Sequence, residues 1–378
     1  MAIYLDYNST TPVDNHVLDA MLPYFSEKFG NAASRTHAFG WEAEEVVKRA
    51  REQVATFINA EESEIIFTSG ATEAINLAIK GVAESYAAKG NHLVILASEH
   101  KAVLDSCHHL SKQGKEITIL PVDQQGLVDL TILSNAIRTD TILVAAMLAN
   151  NETGAIQPIQ EIAEIVHAKG SILFSDATQA GGKIRVDVNE LNVDLLCLSA
   201  HKMYGPKGVG ALFIRRKNPR VVLTAQMDGG GHERNLRSGT LNVPGIVGLG
   251  MACEIAASNF WDESIRISYL RTKLEQAFVD TGKAFINGSI KNRLYNTTNI
   301  CFKGYKAERL MKEIPTLAIA TGSACSSALP EPSHVLLSMG LSKEDAYSSV
   351  RFSLGRFTTE AEIEKTIQLV MDCIKNNI

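Results

Sequence analysis

An α/β architecture built on a largely parallel sheet is what the sequence predicts, on three observations. Short apolar, β-rich runs recur from about Glu64 onward, and a segment with helical character follows most of them. The runs are apolar throughout rather than alternating, as strands covered on both faces are. In order, WEAEEVVKRAREQVATFI (41–58) places Val47, Ala50, Val54, Phe57 and Ile58 on one face, so it reads as an amphipathic helix against the sheet. EIIFT (64–68) leads into EAINLAIKGVAESYAAK, and HLVILA (92–97) into KAVLDSCHHLSKQG. ITILPV (117–122), TILVAAML (141–148), PIQEIAEIVHAKG, SILFSDA (171–177), VDLLCLS (193–199) and GVGALFI (208–214) continue the series. After LNVPGIVGLGMACEIAASN the pattern changes to a long helix near 261–281, short strands and a final helix near 360–376. The expected division is a large domain over 16–258 and a smaller C-terminal α/β domain over 259–378. Residues 1–15 are too short to fold alone and are expected to join the smaller domain.

The chain has 378 residues, 45% of them apolar, enough for a large core. The formal charge of −5, without long charged runs, points away from nucleic acid and anionic membranes as partners. The opening MAIYLDYNSTTPV lacks the cationic and apolar regions of a signal peptide, and no stretch approaches the roughly 20 apolar residues of a membrane helix. A cytoplasmic protein is expected. Cys107, Cys197, Cys253, Cys301, Cys325 and Cys373 form no CxxC pair and no Cys/His cluster, so neither an intrinsic metal site nor a disulfide framework is expected.

Chemistry concentrates at the ends of the apolar runs. Lys202, in SAHKMYGPKGVGA, follows one run and leads into a glycine-rich turn, which can aim its amine into a cleft. Asp176, in SILFSDATQAGG, ends another, where an unpaired acid would be costly. A lysine and an aspartate on neighbouring strand ends meet two needs of pyridoxal phosphate: an amine for the Schiff base and a carboxylate to keep the pyridine nitrogen protonated. FTSGATEAINLAIK meets the third, a strand, a small-residue turn and a helix start whose free N–H groups suit a phosphate. A plain helix cap would look the same as SGAT alone; the ordered trio is what makes the pattern specific.

ATGSACSSALPEPSHV raises a separate matter. Cys325 sits among Gly, Ser and Ala on what reads as a loop of about 320–335, where it can neither pack nor be buried. A nucleophilic cysteine must be reachable as a thiolate, and small neighbours permit the movement this would need.

The segments YLDYNSTTP, Gly30–Asn31, FTSGATEAINLAIKG, EHKAVLD, NNETG, DATQ, HKMYGPKGVGAL, GGGHERNLRSGT, TGSAC and RFSLGR run in family order from end to end. In them the chain resembles the NifS/IscS-type cysteine desulfurases, class-V members of the pyridoxal-phosphate-dependent fold type I enzymes. The resemblance implies a large domain with a mostly parallel seven-stranded sheet flanked by helices. It makes Lys202 the Schiff-base lysine, Asp176 the pyridinium partner and His100 the residue stacked on the ring. Asn151 and Gln179 match groups near the phenolic oxygen, and Ala71, Thr72, Ser199 and His201 the phosphate cradle. Thr240 matches a phosphate contact supplied by the other subunit, which implies a homodimer. Arg351 matches the grip on the substrate carboxylate, with Asn31 nearby, and Cys325 the persulfide-forming cysteine.

The implied activity takes sulfur from L-cysteine, leaving L-alanine and a persulfide on Cys325. The sulfur would pass to acceptors such as an IscU/NifU-like scaffold for iron–sulfur cluster assembly, or to tRNA-thiolation factors. Cys325 could then share a nascent iron–sulfur cluster with such a scaffold. The long loop around Cys325 favours this group over short-loop relatives. The chain ends at Ile378, whereas IscS-type members commonly carry a further tail, so the mode of acceptor docking stays open. A selenocysteine lyase or another class-V enzyme is the nearest alternative. A catalytically silent sulfur-carrier or assembly subunit is the alternative from a different class.

Overall fold

The structure is a computed structural model that describes residues 2–321 and 331–375. Cys325 therefore lies outside the described residues. The central feature is a seven-stranded sheet of β2 (Ile65–Thr68), β3 (His92–Leu96), β4 (Glu116–Leu120), β5 (Thr141–Ala145), β6 (Ile172–Asp176), β7 (Leu195–Ser199) and β8 (Gly210–Ile214), after a short β1 (Ile3–Tyr4). Its order is β2-β8-β7-β6-β5-β3-β4. β8 is antiparallel to both neighbours and the other pairings are parallel, which fits a mostly parallel fold type I sheet. The apolar runs explain why. Along β6 and β7, Leu173 and Leu196 enter one core while Ile172, Phe174, Leu195 and Cys197 enter another, so both faces of the sheet are sealed.

Helices cover those faces. Ala38–Phe57 buries Ala43, Val47, Ala50 and Val54 on one side, and Ala71–Ser85 buries Ala74, Ile75, Ala78 and Val82 on the other. Where the sequence suggests a change of pattern and then a new helix, one continuous element runs over Val243–Val279, with a 77° bend between its halves, Val243–Ser258 and Trp261–Val279. No single helix among the described residues is long and apolar enough to cross a membrane. Beyond the bend, β9 (Ala284–Ile286), β10 (Thr297–Phe302) and β12 (Ser349–Ser353) form an antiparallel sheet in the order β12-β10-β9, and helix Glu360–Lys375 follows. β11 (Leu317–Ala318) pairs in parallel with β1, and Ile3 and Leu5 share a core with Leu270, Phe278, Phe352 and Ile363. The N-terminal segment thus joins the late part of the chain.

One turn departs from ordinary backbone. Glu233, Arg234 and Asn235 have φ of 44°, 57° and 63°, a left-handed run without glycine. The Glu233 carboxylate offsets this strain. It accepts Arg51 on both oxygens at 2.6 and 2.8 Å, and the N–H of Phe67 at 2.7 Å.

Candidate active site

The sheet register assembles the site. Thr68, Gly210 and Ser199 lie side by side across β2, β8 and β7, and Asp176 pairs with Cys197 one strand further on. The segments leaving the ends of β2, β3, β5, β6 and β7 therefore converge on one edge, where open α/β sheets bind ligands. A cavity of about 700 Å³ opens there. Asp176, Gln179, Ser199, His201, Lys202, Asn151, His100, Ala71, Thr72 and Arg351 all line it, so ten sequence-predicted residues come together. Asn31 and Thr240 do not line it; both are exposed, and the Asn31 side chain accepts the N–H of Ala33.

Lys202 is half-buried, its Nζ donating at 2.6 Å to the carbonyls of Asn8 and Ser9. Burial, reinforced by Arg351, lowers its pKa to about 8, against the pull of Asp6 and Asp176. Its amine is thus partly uncharged near neutral pH. Asp176 is buried, with Oδ1 accepting the N–H of Thr178 at 2.9 Å and the thiol of Cys197 at 3.2 Å. His100 caps helix Lys101–Lys112, its Nδ1 accepting the N–H of Ala102 at 3.1 Å. That bond leaves Nε2 for the cavity. Desolvation in the cleft lowers the pKa of His100.

At the other end, Gly70 caps helix Ala71–Ser85 without a side-chain bond, leaving the first-turn N–H groups for a ligand. Two glycines make this approach possible. Gly70 has φ 150°, and a Cβ on Gly210 would stand 2.8 Å from Gly70 Cα and 2.5 Å from the Leu198 carbonyl. Burial holds the pKa of His201 down to about 4, so its ring is neutral, with Nδ1 at 3.1 Å from Thr10 Oγ1. Lys207 also faces this end. An amine between a buried carboxylate and a nest of N–H, hydroxyl and cationic donors is a donor set that fits pyridoxal phosphate.

Arg351, on β12, also lines the cavity. It donates to Asp6 Oδ1 at 2.7 Å, Ser9 Oγ at 2.9 Å and the Asn151 carbonyl at 2.9 Å, while its buried Nε has no partner among the described residues. Its backbone pairs with Ala320, where the cysteine loop begins. At the loop's far side, Ser333 Oγ donates to the buried Glu152 carboxylate, and His334 Nε2 lies 3.0 Å from the Glu99 carbonyl. Ala320 is thus tied to the cavity-lining Arg351, and Ser333 and His334 to residues next to His100 and Asn151 in sequence.

Several of these groups carry no sequence assignment. Asp6, Asn8 and Ser9 form a wall of the cavity, and the signal for them is a polar run directly after a short apolar segment. Glu99 is completely buried, its Oε1 accepting the N–H of Met147 at 2.6 Å and its Oε2 without a partner among the described residues, and burial lifts its pKa to about 8. Its signal is an acid two residues past the end of an apolar run. Among the described cysteines, burial pushes the thiols of Cys107 and Cys301 up to about 12, and raises those of Cys197, Cys253 and Cys373 as well. None of the five has the accessible, acidic thiol of a nucleophile.

Comparison with known proteins agrees with this geometry. Residues 3–366 match the family described as aminotransferase class-V. A cysteine desulfurase IscS of Anaeromyxobacter sp. (strain Fw109-5) is 55% identical over 375 residues, covering 99% of this chain and 92% of that relative. Among solved structures, a NifS-like protein superposes with a TM-score of 0.93 at 37% identity, each chain covered completely. The structure titled SspA in complex with cysteine gives 0.84 at 36% identity, over 94% of this chain and all of that one. With sequence pattern, sheet order and near-complete coverage in agreement, the chain belongs to the class-V aminotransferase family and, within it, to the NifS/IscS-type cysteine desulfurases.

Proposed function

We propose that the protein is a pyridoxal-phosphate-dependent desulfurase that takes the sulfur of L-cysteine, releases L-alanine and holds the sulfur as a persulfide on Cys325. The observation that carries this reading is the single cavity holding Lys202, Asp176, the Gly70-capped helix start and Arg351 together. Ala71, Thr72, Ser199 and His201 would hold the phosphate, Asp176 the pyridine nitrogen, Asn151 and Gln179 the phenolic oxygen, and His100 the ring face. Pyridoxal phosphate, when bound, supplies an electron sink for the substrate α-carbon.

The remaining work falls to the chain. Arg351 binds the substrate carboxylate, its charge balanced by Asp6 when the site is free. Lys202, with its lowered pKa, takes and returns the α-proton. Cys325 takes the sulfur as a thiolate and carries it outward, its loop held at Ala320 and at Ser333–His334. The raised thiol pKa of each of the five described cysteines supports Cys325 as the carrier.

The proposal extends to a cytoplasmic homodimer in which Thr240 reaches the partner's cofactor and Asn31 lies near the substrate. The exposed side chains of Phe25, Phe29, Phe39 and Trp41 support a buried face in that region. It also divides the chain into 16–258 and 1–15 with 259–378, and makes the acceptors an IscU/NifU-like scaffold or tRNA-thiolation factors. In the test, Lys202→Ala loses the visible band of bound cofactor. Cys325→Ala keeps the band but forms no persulfide from L-cysteine. Full sulfur transfer by Cys325→Ala would sink the role given to that residue.

A further inference from the structure

A second lysine lies behind the first. Lys183 is 6% exposed and does not line the site cavity. Its Nζ donates to the Gln179 carbonyl at 3.0 Å, to Gln179 Oε1 at 3.3 Å and to the Lys202 carbonyl at 3.3 Å. Gln179, also buried, donates from Nε2 to the Asn8 carbonyl at 2.9 Å, and that same carbonyl accepts Lys202 Nζ at 2.6 Å. The two lysines are thus the ends of one chain of hydrogen bonds: Lys183 to the Gln179 amide, the amide to Asn8, and Lys202 to Asn8.

The polarity of this chain is fixed. The Asn8 carbonyl accepts and cannot donate, and Lys183 meets the amide oxygen as a donor, which its amine can be in either protonation state. The Gln179 amide must therefore turn its oxygen to Lys183 and its NH₂ to Asn8 and the cavity. Burying a lysine is costly. Burial, with Lys202 nearby, lowers the pKa of Lys183 to about 7, and Glu263 offsets this only in part. An uncharged side chain would pack here without that cost, so the arrangement calls for a reason beyond stability.

We propose that Lys183 is a positioning residue, which orients the Gln179 amide so that its N–H faces the cofactor and holds the turn that follows Lys202. The inference rests on the cofactor assignment above. Without Lys183, Gln179 Oε1 is left buried with no donor, and the amide recovers one only by swinging toward the cavity. An N–H aimed at the cofactor's phenolic oxygen favours the oxygen's ionised form. Its loss raises the pH at which the visible band of the bound cofactor changes form.

The test is an absorbance titration of the loaded protein, independent of turnover. Lys183→Met is expected to raise the midpoint by about one pH unit, a tenfold change in proton affinity. The shift is expected to vanish when Gln179→Ala is already present. A shift of the same size in both backgrounds would mean that the charge of Lys183 acts through space, and no shift in either would leave it a packing residue; each result overturns the proposal. Lys183→Gln keeps a donor without the charge, and it decides the matter even if the methionine variant does not accumulate. A wild-type midpoint supports positioning, and a raised one overturns it. If the wild-type protein shows no visible band with pyridoxal phosphate, the cofactor assignment fails and the inference with it, an outcome distinct from an unshifted variant.

Discussion

Replacing Glu99 by glutamine isolates the cost of one buried acid. Its Oε1 accepts the Met147 N–H, its Oε2 has no partner among the described residues, and burial moves its pKa from 4.5 to about 8. Between those values the folded chain keeps a proton that the unfolded chain releases. Stability therefore falls as pH rises through this window, and the loss is complete above the folded pKa. At about 1.4 kcal/mol per pH unit, wild type should lose about 4 kcal/mol relative to Glu99→Gln between about pH 5 and 8.5. The amide keeps the shape and cannot ionise. With roughly 2.1 cal/mol/K of unfolding entropy per residue, that difference is a gap of about 5 °C in Tm if the chain melts as a unit. Calorimetry of both proteins across this range, in the same cofactor state, reads it directly. A difference in melting temperature that stays constant with pH, or a wild type that gains on Glu99→Gln as pH rises, would refute the reasoning.

Arg351→Lys loses the fork that spans Asp6, Ser9 and Asn151, so KM for L-cysteine should rise on the order of a hundredfold while the cofactor band stays. Steady-state kinetics beside a spectrum would show it, and an unchanged KM would speak against carboxylate binding there. Gly210→Ala places a methyl 2.8 Å from Gly70 Cα, which should weaken cofactor binding by about fivefold or more through an overpacking cost of about 1–3 kcal/mol, measurable by equilibrium dialysis. Glu233→Gln leaves Arg51 without its bidentate partner under a strained turn, and should cost about 3 kcal/mol of stability in denaturant unfolding.

The parts legible in the sequence are those whose signal is local. Lys202, Asp176 and the Gly70 turn each follow an apolar run, and a mostly parallel sheet necessarily brings such ends to one edge. The strand segments read from the sequence begin or end within a few residues of those observed. What escaped depends on pairings across hundreds of residues. Asp6 and Ser9 reach Arg351 only because β1 pairs with β11, and an isolated bridge joins Asp6 to Ser353. Lys183 and Glu99 escaped for another reason: a charged residue beside an apolar run reads as a solvated side chain until its burial is seen. The reversed direction of β8 was equally hidden, since a short connection and an apolar run look the same in either orientation.

The wall formed by Asp6, Asn8 and Ser9 also bears on the order of events during synthesis. These residues leave the ribosome more than 300 residues before their partners Arg351 and Ser353. Until then β1 has no strand to pair with, and Lys202 has the carbonyls of a tethered segment only after the chain closes on itself. The seven-stranded sheet can form from contiguous sequence while the polypeptide is still growing, but the catalytic pocket cannot. A nascent chain therefore carries Lys202, Asp176 and the Gly70 turn before the strand that bears Arg351 exists. A chain that stops before Arg351 has the sheet but lacks part of the pocket's lining.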